Sequence, residues 1–183
     1  MSRPPRARDL VLDAFEALLI DEGERAATMD AAARAAGVSK GGLLYHFASK
    51  EALELALIER LVVLADDDLD EMIASPDGAV AFFLRTSVMD DDPLDRALIA
   101  VARLAQGGSA AASDALRAVR QRWADALRAH VRDETALDLV LLVSDGLYYN
   151  NALGEAAGAS GPVPRGEALD ALVALVERSV SPR

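Results

Sequence analysis

Cysteine is absent from the 183 residues, which excludes disulfides, thiolate metal sites and cysteine nucleophiles. The only two histidines, His46 and His130, lie far apart in the chain, so no clustered-histidine metal motif is present. No apolar run approaches the roughly 18 to 20 residues of a membrane span. The charged N-terminus has no apolar segment behind it, so we do not interpret it as a signal peptide. We therefore expect a cytoplasmic protein without a membrane partner.

Positive charge is scarce, with 19 basic against 30 acidic residues and a net charge of −11. This balance argues against a general nucleic-acid coat. The excess is uneven, because basic and acidic residues are equal in number over 1–50 and the whole surplus falls on 51–183. We infer a small module, 1–50, that can approach a polyanion, and a larger acidic module, 51–183, that does not.

The apolar residues recur at helical spacing and never alternate as in strands. Turn-forming residues separate the stretches, and Gly23 ends the first apolar stripe. The pattern predicts an all-α fold of about nine helices. Its later helices are expected near 79–89, 94–106, 110–131, 135–153 and 166–179.

The segment from Thr28 to Lys50 carries the clearest motif. Thr28 can cap a short helix that begins near Met29, and Gly37 suits the positive φ of a tight turn. Ser39 can cap a second helix two residues later, and so short a connection requires the two helices to cross at a large angle. The small Ala33 and the apolar Leu43 suit that crossing, so the segment predicts a helix-turn-helix.

The second helix begins with Lys40, Gly41 and Gly42, almost without side-chain bulk. Each helical glycine costs roughly 1 kcal/mol relative to alanine, which is reasonable where the backbone must approach a flat partner. A helix N-terminus also attracts phosphate. We infer that this helix enters the major groove of double-stranded DNA.

Residues 8–61 resemble the DNA-binding domain of the tetracycline-repressor (TetR) family. The match rests on Gly23, Thr28, Ala33, 36–41, Leu43, Phe47 and 49–53. The resemblance implies a homodimer with an N-terminal three-helix helix-turn-helix domain and a larger C-terminal helical domain for ligand binding and dimerisation. The predicted DNA-binding residues are Thr28, Ser39, Lys40, Gly41, Gly42, Leu44, Tyr45, His46 and Lys50.

Leu44 stands where the family often has tyrosine, so we assign the phosphate-contacting aromatic role to Tyr45 and His46. Other interpretations stay open at single residues. Thr28 and Ser39 can be caps alone, Lys40 can be a solvated lysine, and Tyr45 and His46 can pack on their own domain. Phe47 is expected in the core. The basic arm, Arg3, Arg6 and Arg8, can be disordered or can reach a minor groove.

The acidic module shows no catalytic motif, and we predict no enzyme activity, no cofactor and no metal site. The acid runs 66–68 and 90–92 lack calcium-loop spacing and are interpreted as solvated charge or helix caps. Asp92 followed by Pro93 is typical of a helix start.

The aromatics of this module predict a ligand pocket if its helices pack together. The candidate pocket residues are Phe82, Phe83, Trp123, Tyr148 and Tyr149; each can instead belong to the core or an interface. The stretch 137–143 is apolar nearly all round and the last helix has a broad apolar stripe, which favours a two-fold four-helix bundle.

The resemblance, together with these patterns, implies a homodimeric transcriptional regulator, most simply a repressor that a small-molecule effector releases from its operator. The alternative is a DNA-binding regulator without a small ligand, whose acidic C-terminal domain docks a protein partner.

Overall fold

The computed structural model describes residues 5–153 and 161–182, and this part of the chain contains nine α-helices and no strand. The all-α prediction is confirmed. The helices are α1 (Pro5–Asp21), α2 (Met29–Ala35), α3 (Lys40–His46), α4 (Lys50–Ala74), α5 (Ala79–Thr86), α6 (Pro93–Gln106), α7 (Ala110–Arg128), α8 (Glu134–Leu153) and α9 (Glu167–Val180).

The chain forms two compact units, and α4 and α7 contribute residues to both. The first consists of Met1–Ala65 and Asp92–Val119. In it α1 is central and packs against α2, α3 and α6. Its apolar side is buried and includes Val11, Phe15 and Leu19. Burial of such large side chains is the main force that holds the short α2 and α3 in place.

The second unit consists of Asp66–Asp91 and Arg120–Arg183. Here α5, α8 and α9 pack against one another around a core that includes Leu84, Leu127 and Val140. Among its buried polar groups, Ser87 donates from its hydroxyl to the carbonyl of Phe83 (2.6 Å) and lies 2.8 Å from the hydroxyl of Ser144.

Two predicted helices end three residues early. The stretch 79–89 is helical only to Thr86, because Thr86 and Ser87 turn their hydroxyls onto carbonyls of the last turn. The stretch 110–131 is helical only to Arg128, and the following chain instead donates from Arg132 N–H to the carbonyl of Val180 (2.9 Å).

No helix within the described ranges is long and apolar enough to span a membrane.

Candidate nucleic-acid interface

The helix-turn-helix forms as its local residues require. The Thr28 hydroxyl accepts a hydrogen bond from the N–H of Ala31 (3.2 Å) and caps α2, while the Ser39 hydroxyl accepts one from Gly42 (3.0 Å) and caps α3. Between the helices Gly37 has a φ of +67°, a conformation that side chains disfavour. Both predicted caps and the turn glycine are confirmed.

Packing fixes which side of α3 faces inward. Leu43 is fully buried, Ala33 is 4% exposed on α2, and the N–H of Val38 donates to the Ala33 carbonyl (3.0 Å). Phe47, just after α3, is also buried, as expected. The guanidinium of Arg8 lies 5.2 Å from the Phe47 ring centroid, a cation–π contact. The inner side of α3 is therefore committed to the core of its own unit.

The outer side of α3 is presented to solvent. We name Lys40, Leu44, Tyr45 and His46 the reading face. Tyr45 is 81% exposed and Leu44 is 45% exposed, so both side chains are available to a partner. The Tyr45 and His46 rings meet edge to face at 5.1 Å. Lys40 is exposed and pairs with Asp30 at 2.9 Å.

The two glycines of α3 differ in their surroundings. A side-chain carbon built on Gly41 meets no protein atom within 4 Å, whereas one on Gly42 lies 3.3 Å from the capping hydroxyl of Ser39. Packing within the chain therefore does not require glycine at position 41.

Lys50 begins α4 next to this surface, and Ser49 caps that helix by accepting from the N–H of Ala52 (3.2 Å). The ammonium of Lys50 forms an ion pair with the carboxylate of Glu24, and it donates to the Glu24 carbonyl oxygen (3.3 Å). This partner was not predicted from the sequence. A separation of 26 positions leaves no periodic signal.

Of the predicted basic arm, Arg3 and the side chain of Arg6 lie outside the described residues.

The candidate pocket aromatics do not share one environment. Phe83 and Trp123 lie together with ring centroids 5.9 Å apart, and Phe82 packs on the same core. Tyr148 is half-buried, whereas Tyr149 is 65% exposed.

The acid runs have structural partners. The Trp123 indole N–H donates to Asp68 (2.9 Å), and Asp66 pairs with Arg122. Asp92 caps α6 by accepting from the N–H of Asp95 (2.8 Å), with Pro93 in the first turn, so the predicted helix start is confirmed.

Comparison with known proteins agrees with this geometry. Residues 11–57 match the family described as "Bacterial regulatory proteins, tetR family". This segment spans most of α1, both helices of the helix-turn-helix and the first turns of α4. Among curated proteins no match to the chain was found.

Several solved structures share the whole fold. A protein from Rhodococcus sp. described as a TetR-family transcriptional regulator is 21% identical, with a TM-score of 0.66 over 95% of this chain and 98% of that one. The TetR-family transcriptional regulator PfmR from Thermus thermophilus is 22% identical, with a TM-score of 0.62 over 93% and 95%. A protein from Saccharomonospora viridis, described as a transcriptional regulator and solved in complex with choline, is 17% identical, with a TM-score of 0.64 over 97% and 98%.

Proposed function

We propose that the chain is a member of the tetR family of bacterial regulatory proteins, whose family model matches residues 11–57, and that it is a homodimeric repressor that binds operator DNA in the cytoplasm. The observation that carries the proposal is the reading face. This face exposes an aromatic, a leucine and a lysine on a capped helix whose opposite side is buried. Such a helix has the dimensions that fit the major groove.

We propose distinct roles along this surface. Base edges are read by Lys40, Leu44 and Tyr45, because these side chains leave α3 on its exposed side. The glycines at 41 and 42 let the backbone approach the DNA. The residues proposed to contact phosphates are Thr28, Ser39, His46 and Lys50. Functionally, 1–50 would form the DNA-binding domain and 51–183 the ligand-binding and dimerisation domain.

Exposed leucines on the second unit support the homodimer. Leu142 is 67% exposed and Leu139 is 39% exposed on α8, and Leu175 is 54% exposed on α9, which packs against α8. A two-fold pairing of α8 and α9 would cover this surface and form a four-helix bundle. The pair would present two copies of α3 about one DNA turn apart, roughly 34–36 Å.

A small-molecule effector is the proposed signal. The aromatics Phe82, Phe83, Trp123, Tyr148 and Tyr149 are the candidate pocket residues, and the contact of Phe83 with Trp123 supports an aromatic wall in that unit. An effector can release DNA only if it prefers one conformation; a tenfold effect needs about 1.4 kcal/mol of differential affinity. We propose neither a catalytic role nor a cofactor for this chain.

DNA binding is tested by selection from a pool of random duplexes, followed by titration of the enriched sequence at several salt concentrations. We expect enrichment of a near-palindromic site. Lys50→Ala should weaken binding to all duplexes alike and flatten the salt slope by about one, because one phosphate contact is lost. Failure to enrich any sequence would overturn the proposal.

The effector is tested separately by a thermal-shift screen of apolar metabolites and choline. A compound that binds the native state raises the melting temperature, and an effector must also release the selected duplex. A protein partner that stabilises the chain and releases DNA, with no small molecule doing so, would favour the alternative in which the acidic domain docks a protein.

A further inference from the structure

Lys50 is enclosed by acceptors instead of extending into solvent. Its ammonium pairs with the Glu24 carboxylate, donates to the Glu24 carbonyl oxygen at 3.3 Å, and lies 3.9 Å from a carboxylate oxygen of Glu54. The side chains of Lys50 and Glu24 are each 32% exposed. The lysine proposed to bind phosphate is therefore already occupied by an internal anion.

The side chain of Glu24 lies beside the turn between α6 and α7. A side-chain carbon built on Gly107 would lie 2.9 Å from Cγ and 3.3 Å from Cβ of Glu24. The φ of Gly107 is −73°, which any residue can adopt, so the absence of a side chain at this position matters for space and not for backbone conformation. A side chain at position 107 would therefore have to displace the side chain of Glu24.

The surroundings of Lys50 hold more negative than positive charge. Glu24, Glu51 and Glu54 line one cleft of about 490 Å³ beside the start of α4. Burial raises the pKa of Glu54, the neighbouring Lys50 lowers it, and the charges of Glu24 and Glu51 raise it further. A DNA phosphate that approaches the start of α4 therefore competes with these carboxylates for Lys50.

We propose that Glu24 is a positioning residue that competes with DNA phosphate for Lys50 and lowers DNA affinity, and that Gly107 leaves the room that the Glu24 side chain occupies. The inference rests on the proposed DNA-binding function. It also links the turn between α6 and α7 to Lys50, because a group that moves from position 107 toward Glu24 displaces the partner of Lys50.

The restraint is tested first without DNA. Lys40 and Lys50 are the two lysines of the sequence, so a limiting amine-acetylating reagent followed by mass spectrometry reports the reactivity of Lys50 relative to Lys40. Glu24→Gln should raise the ratio of Lys50 to Lys40 acetylation several-fold. Glu22→Gln is the matched control: it removes the same charge two residues earlier, from an exposed side chain, and should leave the ratio unchanged.

The effect on binding is measured by fluorescence anisotropy with a labelled random-sequence duplex at low salt, since a phosphate contact is independent of sequence. The Glu24→Gln variant should bind the duplex about three- to fivefold more tightly, because binding no longer has to break one partly exposed ion pair. Glu22→Gln should change affinity by less than about 1.5-fold, because separated charges are screened. In a Lys50→Ala background, Glu24→Gln should change DNA affinity by no more than Glu22→Gln does.

Gly107→Ala perturbs the same contact between Glu24 and Lys50, because residue 107 lies beside Glu24. Because the added methyl must displace Glu24, the variant should also tighten binding, and it should add nothing in the Glu24→Gln background. If the wild type binds the duplex, and Glu24→Gln and Glu22→Gln change its affinity equally, the inference is overturned and the proposed function stands. Absence of duplex binding by the wild type and every variant would overturn the proposed function, and the inference with it.

Discussion

Glu16 joins three helices of the first unit through a buried carboxylate. Its side chain on α1 accepts from Arg60 of α4 (3.1 Å) and from Arg96 of α6 (3.1 Å), and the residue is 5% exposed. Glu16→Gln keeps the shape but removes the charge that both arginines share. We expect the free energy of unfolding to fall by about 2 kcal/mol, measured by chemical denaturation, since hydrogen bonds to charged buried groups are strong.

Asp13 offers the control for Glu16. It pairs with the same Arg60 at 2.7 Å, but its side chain is 59% exposed. Asp13→Asn should lower the unfolding free energy by about 0.5 kcal/mol or less, because exposed ion pairs contribute little. Equal losses for the two variants would show that burial does not set the strength of the Glu16 contacts.

Gly41 gives a prediction that separates folding from DNA binding. A side-chain carbon there meets no protein atom within 4 Å, so Gly41→Ala should stabilise α3 by about 0.5 kcal/mol. If the backbone approaches DNA, the same methyl should weaken binding to the selected duplex. Denaturation and anisotropy measure the two effects on one variant, and unchanged DNA affinity would contradict the proposed close approach.

At this scale the sequence was informative where a residue acts on its own neighbours. Thr28, Gly37 and Ser39 could be assigned because caps and positive-φ turns depend on a few adjacent positions. The two arginine partners of Glu16 and the Glu24 partner of Lys50 could not be assigned, because these pairs join residues 26 to 80 positions apart and leave no local pattern.

At the scale of the elements, the N-terminus of α8 has a cap whose contribution to stability depends on pH. Asp133 accepts from the N–H of Ala136 (2.8 Å), and chiefly this hydrogen bond lowers the pKa of the carboxyl, with a further contribution from Arg132. A lowered folded pKa means that the carboxylate stabilises the fold above the unfolded value, about 3.9. That stabilisation is lost as the pH falls from there through the folded value.

Asp133→Asn makes this measurable, because asparagine can cap but does not titrate in this range. The difference in unfolding free energy between wild type and variant should be constant above about pH 5 and should shrink as the pH falls below the ordinary aspartate pKa. Denaturant titrations at several pH values give this difference. A constant difference down to acid pH would contradict the role of the carboxylate.

Helix existence was predictable because the apolar period of each long stretch is set by burial on one side. The positions of the helix ends were less predictable. α5 and α7 end three residues before the predicted boundaries, where side-chain hydroxyls and the distant Val180 carbonyl take over hydrogen bonding. The packing of α6 against α1 was likewise not visible, since no local pattern links segments so far apart.

For the whole molecule, the reading face follows from its own segment, whereas the dimer requires a surface that no single segment defines. The sequence marked 137–143 as apolar nearly all round, and the structure divides that stretch. Leu137 and Val140 are buried in the unit, and Leu139 and Leu142 are exposed. The exposed pair is the part that a second copy would have to cover.

Leu142→Glu tests the dimer with a charge at the centre of the exposed leucines. Burying an unpaired carboxylate in an interface is costly, so we expect the variant to sediment as a monomer at micromolar concentration while the wild type sediments as a dimer. Val63→Glu is the control, because Val63 is 58% exposed on α4, comparable to the 67% of Leu142, but lies outside the proposed interface. The monomeric variant should also lose affinity for the near-palindromic site, since one α3 reads only a half-site. A wild type that stays monomeric, or a dimer that survives Leu142→Glu, would contradict pairing through α8 and α9.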